Sequence, residues 1–318
     1  MSDIISIFSF KNGYLEQELV NRKEFSLFIF HFNPKNYQDA GIEDRLVQEF
    51  ARHKPDILTF GKDPWVTQQL LRRLKNISPK TKFLMYYGDQ RGGISPNVRP
   101  RIGLLDGLLV NNRDRKQHRA YKDAGIRYVN AYFDGFWEKD FYPIDQQRKY
   151  DLIFGGNNFA PKKFPLSKLR KKLILDLYSS FDMVIYGQGW PFKTEKIVRK
   201  HLYNLVLQTA KINLGINHFD IGEYYEERII DCMASGRMHM TYYIPDMENQ
   251  FKNHHHLVWF KSIDECKELI RYYLKHDAER EKIAQCGRQL MLDKFTFEHY
   301  TNWFTKVVNH LLSGVSYG

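Results

Sequence analysis

Three cysteines in 318 residues, Cys232, Cys266 and Cys286, are too few and too scattered to make a disulfide framework, and none forms a Cys-x-x-Cys pair. That scarcity fits a reducing cytoplasm. Long apolar runs are missing too: no stretch approaches the roughly 20 residues that a membrane-spanning helix requires. The opening MSDIISIFSFKNGYLEQELV has no basic leader, and its apolar run breaks at Lys11, Asn12 and Gly13, so it does not read as a signal peptide. Internal repeats, heptads and low-complexity tracts are absent. The sequence also has no Asp-x-Asp metal motif, and His254-His255-His256 has no carboxylate or cysteine at ligand spacing, so no metal is expected.

What is present is enough apolar material for a large core. Hydrophobic residues make up 43% and aromatic residues 15%, far from the composition of a disordered chain. The length predicts two domains of about 150 residues each. The net charge of +11 is unevenly placed, with +7 in residues 1–150 and +4 in residues 151–318. Nine basic residues lie between Arg91 and Arg127 against three acids, and Lys162, Lys163, Lys168, Arg170, Lys171 and Lys172 form a second cluster with none. Such clusters attract phosphates on nucleotides, lipids or nucleic acids, although each is equally readable as a solvated helix face.

Short runs rich in Ile, Phe, Tyr and Val alternate with longer segments of helical periodicity, the pattern of βα units in a parallel sheet. Strands are predicted at 4–10, 25–32, 56–60, 82–87, 107–110 and 128–132, with helices at 43–53, 64–76 and 113–124. The pattern lapses between Asp134 and Lys149, and a second series follows. Its strands are predicted at 150–154, 183–186, 211–216, 239–243 and 257–260, and its helices at 166–180, 194–209, 224–235, 263–276, 278–292 and 297–312. The expectation is therefore an α/β chain of two doubly wound parallel-sheet domains, 1–145 and 146–318, with a terminal helix able to cross back to the first. Ligands of such sheets sit outside the carboxyl ends of the strands.

The richest of these loops follows Lys211–Ile216 and reads Asn217-His-Phe-Asp-Ile-Gly-Glu-Tyr-Tyr-Glu-Glu-Arg228, before IIDCMASG. Glu223 and Asp231 stand eight positions apart, one near a helix start and the other about two turns further on. Carboxylates there accept from ribose and sugar hydroxyls, while helix-end N–H groups and cations hold phosphates. The stretch resembles the Glu-x7-Glu element of GT-B glycosyltransferases, with Asp231 in the second Glu place. More closely, Arg228-IIDCMASG-Arg237, then Pro245-Asp246, LVWF and REKIAQCGRQLMLDKFTFEHY, resemble the C-terminal module of the CgeB-like glycosyltransferase group. The resemblance spans about residues 150–305; Asp for Glu at 231 and Ile for Phe at 230 depart from it.

The resemblance implies GT-B architecture, two Rossmann-like domains facing a cleft, with a nucleoside-diphosphate sugar, UDP-sugar first among them, as co-substrate and no cofactor. It implies that Asp231 contacts the ribose, Glu223 the donor sugar or its neighbour, and Arg228 the diphosphate, with Asn217 in the same loop. Gly155, Gly156 and Asn157, followed by Lys162 and Lys163, form a glycine turn after a strand, suited to close backbone approach to an anion. Gly187 and Trp190 match that group's Gly-x-Gly-Trp loop, where a nucleobase packs.

In the first domain Asp89 follows a strand in Tyr86-Tyr-Gly-Asp-Gln-Arg-Gly-Gly93 and is the expected general base of a metal-independent hexosyl or pentosyl transfer. Asn12, Gly13, Tyr87, Arg91, Arg113 and Arg115 are the expected acceptor contacts. Their charge predicts an anionic acceptor, and double-stranded DNA with hydroxymethylated bases, as in phage genome modification, is the favoured one. A cell-envelope polymer, a lipid-linked glycan or a protein are the alternatives. The reading of another class is a non-catalytic protein that binds nucleic acid or sugar nucleotides; no helix-turn-helix, zinc-finger or RNP signature favours nucleic-acid binding.

Overall fold

The computed structural model describes residues 4–9, 14–31, 41–88, 90, 92–132, 135–160, 164–198 and 201–314. The chain divides into two compact units, Met1–Phe133 with Phe297–Gly318, and Asp134–Thr296.

The first unit is a six-stranded parallel sheet of β1 (Ile5–Ser9), β2 (Phe25–Ile29), β3 (Ile57–Phe60), β4 (Lys82–Tyr87), β5 (Gly107–Val110) and β6 (Tyr128–Ala131), in the order β2-β1-β3-β4-β5-β6. Its helices are α1 (Tyr14–Leu19), α2 (Ile42–His53), α3 (Gln68–Ile77) and α4 (Arg115–Asp123), joined by α10 (Phe297–Ser313) from the end of the chain. Side chains alternate across a strand, so each β-strand feeds two cores. Phe8, Leu58, Phe83 and Met85 meet Leu46, Phe50, Leu70, Leu74 and Tyr121 on one face. Ile7, Ile57, Leu84 and Leu109 meet Leu15, Leu19, Phe304, Val307, Val308 and Leu311 on the other. The short helix α1 was not among the sequence expectations.

Helix α3 begins at Gln68 rather than near Pro64 because Thr67 caps it, accepting from the Leu70 N–H at 3.1 Å, while Val66 N–H turns back to the Asp63 carbonyl. Buried Arg101 fastens that turn, donating to the carbonyls of Val66 (2.9 Å), Asp63 (3.1 Å) and Asn97. One member of the first basic cluster thus serves the interior.

The second unit carries β7 (Tyr150–Gly155), β8 (Met183–Tyr186), β9 (Ala210–Gly215), β10 (Met238–Tyr242) and β11 (Val258–Phe260), all parallel, in the order β11-β10-β9-β7-β8. Its helices are α5 (Ser167–Ser180), α6 (His201–Leu207), α7 (Glu227–Ala234), α8 (Ile263–Lys275) and α9 (Asp277–Lys294). Leu152, Phe154, Ile212, Leu214, Met238 and Met240 pack on Leu173, Ile174 and Leu177 of α5, Cys266 and Ile270 of α8, and Ile283 and Ala284 of α9. The alternate residues of β9 and β10 lie on the side of α6 and α7.

Two helices are shorter than the periodicity predicts. Glu195 pairs with the end of β8 instead of entering α6, its N–H donating to Ile185 and its carbonyl accepting from Gly187, and the Thr194 hydroxyl donates to the Gly187 carbonyl at 2.6 Å. Helix α7 starts at Glu227 because Glu223 adopts a left-handed conformation, φ 49°, and the Asn217 amide takes the Tyr224 carbonyl at 2.7 Å.

Candidate functional site

Strand order reverses between β7 and β9, which places a topological switch point where the chain leaves Gly155 and Gly215. The loops there carry most of the residues singled out from the sequence in this unit.

The loops after β7 and β8 lie backbone against backbone. Gly156 N–H donates to the Tyr186 carbonyl at 2.7 Å, Asn158 N–H to Gln188 at 2.8 Å, and Gln188 N–H to the Asn157 side chain at 2.9 Å. A Cβ on Gly187 would overlap the Gly156 carbonyl oxygen, so glycine is required by space. Trp190 donates from Nε1 to that same oxygen at 2.9 Å. Its ring is buried, edge-on to Phe154 and stacked on Phe192, so Trp190 braces the glycine turn from within the core.

On the other side of Gly156 two guanidinium groups converge. A Cβ there would overlap Arg170 Nη2 and stand 2.9 Å from Arg228 Nη1. Arg228, in the first turn of α7, donates to the Gly155 carbonyl and pairs with Glu226. Arg170, on α5 and 2% exposed, donates to the Ile216 carbonyl at 2.8 Å. Both lie over the Phe154 ring, at 4.9 Å and 5.7 Å respectively for Arg170 and Arg228.

Burial opposes the charge on each member of this cluster, and the neighbours decide the outcome. Burial and the like charge of Arg228 push Arg170 down to about 9. For Arg228 the Glu226 carboxylate outweighs burial and the pKa rises above the ordinary arginine value. For Glu226 burial is likewise outweighed, by Arg228, Arg170 and His218, and its pKa falls below the usual carboxylate range. Glu226 also accepts from the His218 N–H at 3.2 Å.

Glu223 sits beside this cluster in sequence and is tied to the loop after β10. Its N–H donates to the Pro245 carbonyl at 2.9 Å, and its carboxylate accepts from Asn249 Nδ2 at 3.1 Å and Gln250 Nε2 at 3.3 Å. A left-handed non-glycine residue stores backbone strain of about 1–3 kcal/mol, which commonly marks a working site. Asp246, φ 62°, is a second such residue, and a Cβ on Gly222 would stand 2.9 Å from its Oδ2. Asp231 is half-buried on α7, three residues after Arg228 and therefore on the same side of the helix.

Lys162 and Lys163 of the expected donor set lie outside the described residues, as do Asp89, Arg91, Asn12 and Gly13. In the first unit Tyr87 is buried, and its hydroxyl accepts from Ser95 at 2.6 Å and Asn97 at 3.3 Å. Gln90 reaches Gly93 and Gln117, and the Gln90 N–H donates to Asn111 at 3.2 Å, so the residues beside 89 and 91 are held by a polar network. Arg113 is half-buried; Arg115, Lys116, Arg119 and Lys122 are exposed along α4. Sequence reasoning missed Glu226 and read Arg170 only as one member of a basic cluster. Among the described residues no group of three or more His, Cys, Asp or Glu could hold a metal ion, and no helix is long and apolar enough to cross a membrane.

A glycosyl transferase-like family model matches residues 164–304, which include Arg170, Glu223, Glu226, Arg228 and Asp231. Among solved structures, Anabaena HepE in complex with UDP-glucose is 11% identical, with TM-score 0.66 over 96% of this chain and 99% of that one. Sucrose-phosphate synthase from Thermosynechococcus elongatus is 10% identical, with TM-score 0.66 over 98% and 100%. A glycosyltransferase from Rickettsia africae is 15% identical, with TM-score 0.59 over 98% and 90%. No curated protein matches the sequence significantly. At these identities the likeness shows the fold, two Rossmann-like parallel-sheet units as in GT-B glycosyltransferase structures.

Proposed function

We propose that this chain is a glycosyltransferase of the CgeB-like group that moves a sugar from a nucleoside-diphosphate sugar, a UDP-sugar foremost, to an acceptor hydroxyl. The observation that carries this reading is the convergence of Arg228, Arg170 and the Gly155–Gly156 turn at the switch point of the second sheet. Backbone freed of side chains beside buried cations suits a diphosphate. The glycosyl transferase-like match over this unit and the UDP-glucose bound by HepE support the same donor.

In this reading Arg228 faces the diphosphate, Asp231 accepts from the ribose, and Glu223, its carboxylate held by two amides, faces the donor sugar. Asp89 takes the proton of the acceptor hydroxyl as its oxygen bonds to the anomeric carbon; the bond to the diphosphate breaks and the nucleoside diphosphate leaves. The transfer is of a hexosyl or pentosyl group, without a metal, in the cytoplasm. The exposed cations of α4 favour an anionic acceptor, for which double-stranded DNA with hydroxymethylated bases is the specific candidate.

Titration calorimetry with UDP and UDP-glucose, followed by transfer assays on hydroxymethylated and unmodified DNA, tests the proposal. Asp231→Ala is expected to weaken UDP binding roughly tenfold or more, as loss of a charged hydrogen bond of about 1.5–3 kcal/mol requires. Absence of binding by any nucleoside diphosphate refutes the donor; equal failure on both DNAs with intact donor binding refutes only the acceptor.

A further inference from the structure

The charges gathered at Gly156 do not balance. Arg170 and Arg228 bring two positive charges and Glu226 one negative, with all three side chains at most 18% exposed. Glu226 is the last residue before α7 and does not cap it: its carboxylate makes no hydrogen bond to the first-turn N–H groups. It instead reaches the Arg228 guanidinium and the His218 N–H, beside the glycine turn. With one oxygen on the Arg228 guanidinium and the other on the His218 N–H, this carboxylate makes the charged hydrogen bonds that a phosphate would make there.

We propose, resting on the donor reading above, that Glu226 is a resident stand-in for the donor's diphosphate, exchanged for it on binding, and that Arg170 is the buried second cation that balances the exchange. With Glu226 in place the cluster carries one excess positive charge. With Glu226 displaced, the two arginines match the about two negative charges of a diphosphate ester.

Arg170 is suited to this part. Its hold on the Ile216 carbonyl fixes it at the end of β9, and its Nη2 lies so close to Gly156 that only glycine fits between it and Arg228. It is a positioning residue: too enclosed to serve as a flexible surface contact, it sets the charge and shape against which Glu226 and the ligand compete. The resident carboxylate also explains how two like charges remain side by side, since Glu226 lies within electrostatic reach of both. The cost is a donor affinity lower than the two arginines alone would give.

The test is titration calorimetry of the full chain with UDP and, separately, inorganic pyrophosphate, at one ionic strength. Glu226→Gln keeps the size of the side chain and removes the competing charge; both probes are expected to bind it roughly tenfold more tightly than wild type, the effect of about 1.4 kcal/mol. Arg170→Gln is expected to weaken both by a similar factor, and the double variant to return close to wild type. Glu226→Asp, whose shorter carboxylate loosens the contact with Arg228, gives the same direction of change if Glu226→Gln does not fold. Unchanged or weaker binding by the folded Glu226 variants overturns the exchange, because Glu226 then only holds Arg228 in place. If wild type binds neither probe, the donor reading fails and the exchange with it, a pattern distinct from wild-type binding without a Glu226 gain.

Discussion

Gly187→Ala isolates the contact on which the glycine turns depend. An added Cβ would overlap the Gly156 carbonyl oxygen and stand 2.6 Å from its carbon and 3.2 Å from the Asn157 nitrogen. These are backbone atoms at the end of a central strand, so no rotamer change relieves the clash. The Gly156 carbonyl is held by Trp190, and four further hydrogen bonds join the loops after β7 and β8. Forcing the loops apart costs about 1–3 kcal/mol for overpacking and about 1 kcal/mol for each hydrogen bond lost, so roughly 3 kcal/mol in all. For a unit of this size that lowers the melting temperature by roughly 6–12 °C. Scanning calorimetry reads the shift, and calorimetric titration of UDP reads the accompanying loss of affinity, since Gly155 and Gly156 move with the loop. Gly103→Ala is the control: nothing lies within 4 Å of its Cβ and its φ is not positive, so a change within about 0.5 kcal/mol is expected. If Gly187→Ala melts with the control and binds UDP as wild type does, the close approach of the two loops is not what shapes the site.

Two other perturbations probe different parts of the molecule. His239 is fully buried, and burial together with Arg228 pushes its pKa down to about 3 against the smaller opposing effect of the Asn213 backbone. The unfolded chain therefore binds a proton below about pH 6.5 that the folded one refuses, so the stability present above that pH falls by up to about 1.4 kcal/mol per unit towards pH 3. His239→Leu is expected to match or exceed wild-type stability at pH 7 and to flatten this acid limb in urea titrations; an unchanged pH slope counts against the assignment. Reversing Arg115, Lys116 and Lys122 to Glu on exposed α4 is expected to raise KM for an anionic acceptor and reduce its salt dependence, leaving the Kd for UDP unchanged. An unaltered acceptor KM places the acceptor elsewhere.

Parallel βα order was legible because it is written locally: runs such as Lys82–Tyr87 and Gly107–Val110 are apolar on both faces, as strands covered by helices on both sides must be. Helix starts were less legible where a tertiary partner overrides periodicity. The apolar spacing from Thr194 continues into α6, but Glu195 finds backbone partners on β8 that no helical pattern discloses. The site shows the same division. Gly155, Gly156 and Gly187 stand out because a glycine after a strand is visible in one dimension; that each is squeezed by a particular atom is not. Arg170 sits among Lys168, Lys171 and Lys172, and although those lysines are not buried as it is, composition gives no reason to separate it from them. Its significance arises only when β9 brings the Ile216 carbonyl to one side and β7 brings Gly156 to the other. Charge in such a site is a property of the assembled cluster. Two arginines 58 positions apart acquire a shared counter-ion in Glu226, and the affinity of the site for an anion depends on how firmly that carboxylate is held.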